Sequence, residues 1–300
     1  FSGEYVSRDK INRSVEAIKV LMSEHGYAFA NINAIPKTTK EDKVDLDFFI
    51  DPGERVYVRR IEIKGNEKTA DKVFRREIRQ MEGGWYSANL IKISKRRLQK
   101  LSYVENVTIQ ERKVPNKTNM MDVIINIEEK LSGNFNIGAG FGGSGTGVQL
   151  NTSVSQDNFL GSGNKVSFGI NTAKTTKNYS FDFYNPYHNL DNVSRGFGFS
   201  FMQEDTTNTD TQTTFKSDRK ELSFAYGIPM TEENRINFKI KGQAYNVKST
   251  TDSAQELIDF VGKHGDKYTN AELIAGYTID TRNRASFTTS GFRTNLRGQV

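Results

Sequence analysis

The segment FNIGAGFGGSGTGVQL, residues 135–150, contains a glycine pattern that could bind a phosphate. Gly138, Gly140 and Gly143 have the G-x-G-x-x-G spacing of a dinucleotide-binding turn, where a helix N-terminus receives the pyrophosphate. That chemistry requires a strand before the glycines and a helix after them. Here the residues on both sides alternate between apolar and small or polar types, which indicates two strands joined by a turn. The nucleotide interpretation is therefore disfavoured, and the glycines are strand glycines.

Other residues that could do chemistry are few and dispersed. The three histidines, His25, His188 and His264, have no E-x-x-H or triad-like neighbours, and we interpret them as surface or turn residues. The absence of cysteine excludes disulfides and thiolate metal sites. No P-loop or metal-ligand spacing occurs. The sequence thus predicts no catalytic residue, no cofactor, no metal site and no enzyme activity.

The composition changes abruptly near residue 130. Residues 1–130 carry 25 Lys and Arg against 20 Asp and Glu, whereas residues 131–300 carry 17 against 16. Of 25 glycines 19 follow residue 130, as do 15 of 20 phenylalanines. This shift predicts a domain boundary near residues 130–133. No apolar run reaches the length of a transmembrane helix, but a membrane is not excluded, because barrel strands are apolar only at alternate positions.

The N-terminal half has the pattern of an α+β unit. A strand at 57–65 ends on the turn signal Gly65-Asn66, and a helix over 69–80, capped by Thr69, follows it. A second helix is predicted over 87–101, and strands at 103–112 and 119–128 complete the unit. The apolar stripe of the second helix comprises Leu90, Ile91, Ser94, Leu98 and Leu101.

Residues 1–53 repeat the last three elements of that unit. A helix over 7–25 precedes two strands, and the segments GYAFANINAIP and KVDLDFFIDPG match SYVENVTIQER and NMMDVIINIEE. The leading strand and first helix of this copy are missing, so we expect a partial module with further copies before it. The segments IKGNEKT, RREIRQMEGGW and GYAFANI resemble those of POTRA modules. In their family these modules lie in the periplasm ahead of an outer-membrane barrel.

Nine strand candidates follow residue 131, and several alternate strictly, as Phe197, Phe199 and Phe201 do between small residues. We place the strands at 134–142, 146–157, 163–173, 178–185, 194–204, 218–228, 235–248, 267–280 and 290–300. Every second connection is compact (158–163, 186–192, 229–234, 281–289), whereas two on the other side are long and polar (204–215, 249–266). This asymmetry and the strand lengths favour a transmembrane β-barrel over a soluble sandwich.

Four segments in the predicted short turns are similar to those of the outer-membrane protein assembly factor family. They are DNFLGSGN, YNPYH, GIPMTEEN and YTIDTRNRASFTTSGFRTNL. The resemblance implies α+β POTRA modules followed by an antiparallel transmembrane β-barrel. We expect a partial POTRA module at 1–53, a complete POTRA module at 54–130 and the N-terminal part of the barrel at 131–300. Because the family's barrel has more strands and a V-R-G-F loop, the chain is expected to be a fragment.

The resemblance also implies a function in Gram-negative bacteria. Members of the family sit in the outer membrane, with the POTRA modules in the periplasm, and fold and insert β-barrel proteins. Glycines weaken a strand and permit unusual backbone angles. We therefore expect a lateral gate in the first barrel strand, whose freed backbone pairs with substrate strands by β-augmentation. Its residues are Phe135, Ile137, Gly138, Gly140, Phe141 and Gly142. Alternatively, the small residues face a crowded lumen.

Two further sites are expected in the POTRA half. The edge of its mixed three-stranded sheet, at Val104, Val107 and Ile109, would pair with extended substrate, as would Phe29 to Ala34 in the partial module. The resemblance implies that accessory lipoproteins dock on the module next to the barrel, at Arg75, Arg76, Glu82 and Trp85. The basic helix faces have no aromatic platform, so nucleic acid is disfavoured.

The expected partners are therefore nascent outer-membrane proteins, accessory lipoproteins and outer-membrane lipid, with no nucleic acid and no cofactor. Residues 253–263 predict a short amphipathic helix, either on the membrane surface or capping the barrel mouth. The alternative function is a POTRA-barrel translocator of the two-partner secretion type. A passive porin would not need the repeats.

Overall fold

The computed structural model describes residues 5–39, 43–143, 147–207, 214–283 and 287–300. The chain divides into two compact units, Phe1–Lys130 and Leu131–Val300. Within the described ranges, no helix is both long enough and apolar enough to cross a membrane. The predicted turn at residues 143–145 lies mostly outside the described residues, as do parts of the connections at 204–215 and 281–289.

The first unit begins with helix α1, Arg8–Glu24, followed by strands β1, Asn31–Thr39, and β2, Lys43–Asp51. The two strands pair antiparallel, as predicted for the partial module. Gly26 ends the helix at a φ of +93°, a conformation that glycine adopts without steric cost.

The rest of this unit has the predicted order of strand, helix, helix, strand and strand. Its elements are β3, Tyr57–Lys64; α2, Asp71–Arg75; α3, Ala88–Gln99; β4, Val104–Lys113; and β5, Met120–Glu129. Strand β5 lies in the centre, parallel to β3 and antiparallel to β4. The predicted turn after β3 is present, since Gly65 has a φ of +83° and lies so close to the backbone of Ile127 that no Cβ would fit.

The core of this module lies between the sheet and the two helices. Phe74 of α2 and Leu98 of α3 are fully buried against Val58, Val107 and Ile125, one from each strand. Helix α3 begins where Ser87 accepts a hydrogen bond from the Leu90 N–H at 3.3 Å, and it buries Ile91, Ser94 and Leu98 of the predicted stripe.

The predicted helix over 69–80 is wrong in extent, because α2 covers only Asp71–Arg75 and its N-cap residue is Ala70 rather than Thr69. Thr69 is 2% exposed and packed in the interior. Beyond Arg75 the chain leaves the helical path because its polar groups find tertiary partners: the Arg79 N–H donates to Ser94 Oγ at 2.8 Å. The side-chain amide of Gln80 donates a hydrogen bond to the Trp85 carbonyl, and its oxygen accepts one from the Ser87 N–H.

The second unit is one antiparallel sheet of nine strands in which each strand pairs with the next along the chain. Its strands are β6, Gly133–Gly142; β7, Gly147–Gln156; β8, Lys165–Thr172; β9, Thr176–Asn185; β10, Ser194–Asp205; β11, Phe215–Pro229; β12, Asn234–Ser249; β13, Lys267–Asp280; and β14, Arg293–Gln299. All nine predicted strands are therefore present. The last begins at Arg293 rather than at 290, because Thr281 and Phe292 hydrogen-bond to each other and close the connection before it.

The sheet has two chemically distinct faces. The apolar face carries rows of cross-strand neighbours such as Phe183, Phe197 and Phe224, which lie opposite one another on β9, β10 and β11. The polar face carries the alternate residues, among them Ser223, Gln243 and Thr278, all buried. This is the period-two pattern of a strand that meets lipid on one side only.

The long connection between β12 and β13 contains helix α4, Gln255–His264. Its Phe260 ring lies edge-on to Tyr268, with 5.9 Å between ring centroids, and Tyr268 stacks on Tyr245 at 4.7 Å. Tyr245 belongs to the polar face, where its hydroxyl donates to Gln243 Oε1 at 3.1 Å. Helix α4 therefore contacts the polar face of the sheet through Phe260.

Candidate functional site

Strand β6 forms one end of the nine-stranded sheet. All ten of its residues pair with β7, from Gly133 opposite Gln156 to Gly142 opposite Gly147. No described strand pairs with its other edge. The N–H and C=O groups along that edge therefore have no strand partner among the described residues.

The predicted gate residues divide between the two faces of β6. Phe135, Ile137 and Phe141 lie on the apolar face and are 65%, 68% and 83% exposed. Their neighbours on β7 are Val154, Thr152 and Val148. Gly138, Gly140 and Gly142 lie on the polar face, so the strand has large side chains only on the side that meets lipid.

The glycines of β6 differ from those in the middle of the sheet. A Cβ added at Gly198 would lie 2.6 Å from the Asp182 carboxylate and 2.7 Å from Ser223 Oγ, and one at Gly169 would lie 2.8 Å from Ser180 Oγ. At those positions a side chain would fit only if the neighbouring Asp182, Ser223 or Ser180 side chains moved. At Gly138 and Gly140 an added Cβ meets no described atom within 4 Å. The described residues therefore do not crowd Gly138 or Gly140.

The predicted substrate edge of the POTRA sheet is an edge strand in the structure, since β4 pairs on one side only with β5 among the described strands. The side chains of Val104 and Val107 are 4% and 1% exposed and belong to the core, and Ile109 packs partly against it. A partner would therefore contact the backbone of β4 and not these side chains. In the partial module β1 begins at Asn31, after Phe29 and Ala30.

The structure brings together two of the four predicted lipoprotein-docking residues. The guanidinium of Arg75 is 2.8 Å from the Asp71 carboxylate and 3.6 Å from Glu82 Oε1. The same Glu82 oxygen accepts a hydrogen bond of 2.7 Å from the Ile61 N–H on the outer edge of β3. Arg76 is half-buried. Glu82 therefore combines a structural contact with an exposed charge.

Trp85, the fourth residue predicted for docking, lies where the partial and complete modules meet. The Arg55 guanidinium lies over the Trp85 ring at 4.9 Å and over the Tyr27 ring at 5.3 Å. The Val56 N–H donates to the Gly26 carbonyl at 2.8 Å across the same junction. A cation between two aromatic rings stabilises their arrangement. Sequence analysis missed Arg55, and no local pattern signals it.

Comparison with protein families identifies the chain. The POTRA family model, described as a surface antigen variable number repeat, matches residues 2–53 and 56–130, and the Omp85 superfamily domain model matches residues 158–300. This chain belongs to the Omp85 superfamily. It lies in the outer membrane, with its POTRA modules in the periplasm, and combines those modules with a barrel sheet.

The Omp85 chain is similar to several proteins named BamA. It is 31% identical over 267 residues to the outer membrane protein assembly factor BamA of Neisseria meningitidis serogroup B, an alignment that covers 88% of this chain and 33% of the relative. It is 30% identical to BamA of Buchnera aphidicola, over 78% of this chain and 38% of that relative. The chain thus spans about a third of the length of these curated relatives.

A solved structure supports the same relationship. The crystal structure of BamA from Haemophilus ducreyi lacking POTRA domains 1–3 matches all of this Omp85 chain with a TM-score of 0.75, at 28% identity and over 58% of that chain. The predicted fold of POTRA modules followed by a partial antiparallel barrel sheet is confirmed.

A second pairing in the complete POTRA module was also missed by sequence analysis. The Arg59 guanidinium donates two hydrogen bonds to the Asp122 carboxylate, at 2.8 Å and 2.6 Å, and Arg112 lies 3.7 Å from the same group. The Asp122 side chain is 4% exposed. The hydrogen bonds from Arg59 lower the pKa of Asp122 from its ordinary value, opposed by burial and assisted by the neighbouring arginines.

Proposed function

We propose that this protein is an outer-membrane protein assembly factor that folds β-barrel proteins and inserts them into the outer membrane. Relatives named as outer membrane protein assembly factors match most of the chain, which supports the general role. The proposal includes the division into a partial POTRA module at 1–53, a complete module at 54–130 and a barrel portion at 131–300. The chain acts without covalent chemistry and is not proposed to be an enzyme.

Assembly proceeds by lateral opening at β6. In the intact barrel this strand closes against another strand, and the seam between them is the point that opens. One observation supports the proposal: β6 is an end strand of the described sheet, and a Cβ added at Gly138 or Gly140 would meet no described atom within 4 Å. Glycine lowers the stability of a strand, so the seam is easier to open than a seam between side-chain-bearing strands.

The opened edge of β6 then pairs with a substrate strand. The backbone N–H and C=O groups on one edge of the substrate strand form main-chain hydrogen bonds with β6, which lipid cannot provide. Burial of the next strands in lipid is favourable once the first has paired, so no nucleotide is consumed. The role of the protein is to lower the barrier to the first pairing.

The POTRA modules supply the remaining contacts. The free edge of β4 is proposed to hold extended substrate through its backbone, with Val104, Val107 and Ile109 fixing the strand from the core side. Accessory lipoproteins are proposed to dock around Arg75, Arg76, Glu82 and Trp85, and outer-membrane lipid is proposed to contact the apolar face.

A disulfide across the seam tests lateral opening, and the absence of native cysteine makes introduced pairs unique in this chain. Gly140→Cys paired with a cysteine on the strand that closes against β6 should stop assembly of substrate barrels until a reductant is added. The matched control is Asn136→Cys with Ser153→Cys, which lie opposite each other on β6 and β7 and lock no seam. Normal assembly with the seam disulfide formed contradicts the gate.

The alternative is a translocator of the two-partner secretion type, which exports one dedicated partner. Depletion of the protein distinguishes the two functions. An assembly factor predicts loss of many unrelated barrel proteins from the outer membrane, measured by quantitative proteomics. Loss of one secreted protein with the other barrels intact supports the translocator instead.

A further inference from the structure

The two ends of the apolar face carry different charge. Strand β6 begins three residues after the periplasmic module ends at Lys130, so the end of the sheet where β6 starts is periplasmic and the other end is extracellular. On the apolar face, the described strand residues near the extracellular end include five lysines and two aspartates, whereas the periplasmic end has one charged residue, Arg195. The extracellular set is Lys177, Lys216, Lys220, Lys248, Lys267, Asp205 and Asp218.

Part of this charge lines a cleft of about 490 Å³ across β11, β12 and β13, which we call the lysine cleft. Its lining includes Asp218, Lys220, Ala244, Asn246, Lys267 and Thr269. The register places these residues in two adjacent rows: Asp218, Asn246 and Lys267 in one, and Lys220, Ala244 and Thr269 in the next. Ala244 thus leaves room between the two lysines.

Several polar groups of the lysine cleft have no ion-pair or hydrogen-bond partner among the described residues. Within the part of the chain that the structure describes, Lys220 and Lys267 form no ion pair, whereas Lys216 pairs with Asp205 at 2.9 Å. The Asp218 carboxylate accepts a hydrogen bond of 3.0 Å from the Gln203 amide. Asn246 Oδ1 is buried and accepts no hydrogen bond from any described residue. A buried carbonyl oxygen without a donor is costly, so it points to a ligand that supplies one.

A hollow of small residues leads from the cleft toward the apolar belt. Ala244 is followed on the same face by Gly242, whose added Cβ would meet no described atom within 4 Å, and Gly242 lies opposite Ala271. The next row consists of Ile240 and Leu273. The hollow is therefore polar and cationic at the extracellular end and apolar toward the middle of the membrane.

We propose that the lysine cleft binds the headgroup of a phosphate-bearing outer-leaflet lipid. The phosphate lies between Lys220 and Lys267, and a headgroup hydroxyl or amide N–H donates to Asn246 Oδ1. An acyl chain follows the hollow over Gly242 and Ala271. The proposal rests on the membrane orientation of the sheet and not on opening of the β6 seam, so either can fail without the other.

The test uses the intact protein in bilayers of phosphatidylcholine with or without about 20% phosphatidylglycerol, whose headgroup offers both a phosphate and hydroxyl donors. Retained lipid is measured by native mass spectrometry. In the proposed site both lysines donate charge-assisted hydrogen bonds to the phosphate, so Lys220→Gln with Lys267→Gln should reduce phosphatidylglycerol retention about 30-fold. Asn246→Ala should also weaken retention of phosphatidylglycerol, with little effect on phosphatidylcholine.

Two controls are needed. One distinguishes binding at a specific site from general electrostatic attraction, and the other distinguishes a lipid ligand from free phosphate. Lys177→Gln with Lys248→Gln removes the same charge from the same end of the same face, but these lysines do not contact the proposed phosphate and act only through screened attraction, so retention should change less than about 3-fold. Equal losses in both double variants overturn the site. Gly242→Leu fills the hollow without changing charge and should also reduce retention. Displacement of the lipid by millimolar inorganic phosphate overturns the assignment to a lipid. Assembly of substrate barrels, assayed in parallel, should be unchanged in the Lys220 and Lys267 variant.

Discussion

Glu82 has two roles in the complete POTRA module that substitution can separate. Its carboxylate accepts the Ile61 N–H at 2.7 Å and presents a negative charge beside Arg75. Glu82→Gln keeps an acceptor for Ile61 but removes the charge. Glu82→Lys removes both and places a like charge next to Arg75.

We expect Glu82→Gln to leave the urea midpoint of the module nearly unchanged and to weaken lipoprotein binding, because only the exposed charge is lost. Glu82→Lys should in addition lower the free energy of unfolding by about 1 kcal/mol, the value of one hydrogen bond. Pull-down with the accessory lipoproteins and urea denaturation measure the two effects. Full binding by Glu82→Gln is the outcome that excludes the charge as a docking contact.

Asp122 gives the module a predictable response to acid. Its pKa is lowered in the folded state by the hydrogen bonds from Arg59. A carboxyl group with a lowered folded pKa contributes stability above its unfolded value, here 3.8, and that contribution disappears as the pH falls through the folded pKa. Asp122→Asn should therefore lower stability at pH 7 by about 1–3 kcal/mol, from the lost charge-assisted hydrogen bonds.

The difference between the wild-type protein and Asp122→Asn should shrink as the pH falls below 4. Urea denaturation at pH 7 and at pH 3, followed by circular dichroism, measures it. The exposed pair Arg13 and Asp9 offers a control, since Asp9→Asn should change stability by less than about 0.5 kcal/mol at either pH. A constant difference across the pH range contradicts the assignment.

At the scale of elements, the proposed gate predicts that the glycines of β6 determine how easily this strand separates from its partner at the seam. Gly138→Val with Gly140→Val should fit without a clash. Together the two valines should stabilise the strand conformation of β6 by up to about 2 kcal/mol. Assembly of substrate barrels into vesicles should slow about 30-fold if the open seam is the reactive state. Gly298→Val on β14 is the control, because an added Cβ there also meets no described atom within 4 Å. Equal rates in all three proteins would remove the glycines from the mechanism.

Element boundaries show where sequence patterns are sufficient. Helix α3 agrees with its pattern because Ser87 caps it locally and its apolar stripe faces the core. Helix α2 does not, because the Arg79 N–H donates to Ser94 Oγ, a partner that the chain reaches only after folding, and not to a helical carbonyl. A local pattern predicts an element well when its hydrogen-bond partners are also local.

At the scale of the whole molecule, the two units obtain stability from different environments. Unit 1 buries its apolar side chains in a core between a sheet and helices, whereas unit 2 exposes its apolar face, with Phe224 54% and Ile240 57% exposed. In detergent, we expect two separate unfolding transitions. Asp122→Asn should shift only the first, measured by Trp85 fluorescence, because the single tryptophan lies in unit 1. One cooperative transition shifted as a whole contradicts this independence.

The sequence by itself determined the order of the elements, the repeat in the first half and the two-faced strands of the second. These features depend on side-chain periodicity, which each segment carries alone. Only the tertiary structure decided which glycines are crowded, since Gly138 and Gly198 look alike in sequence but have different cross-strand neighbours. It also decided that Val104 and Val107 face the core, that Arg55 lies between Tyr27 and Trp85, and that Lys220 and Lys267 share a cleft. Contacts of this kind join residues distant in the chain, and the register that creates them is set by the packing of the whole sheet.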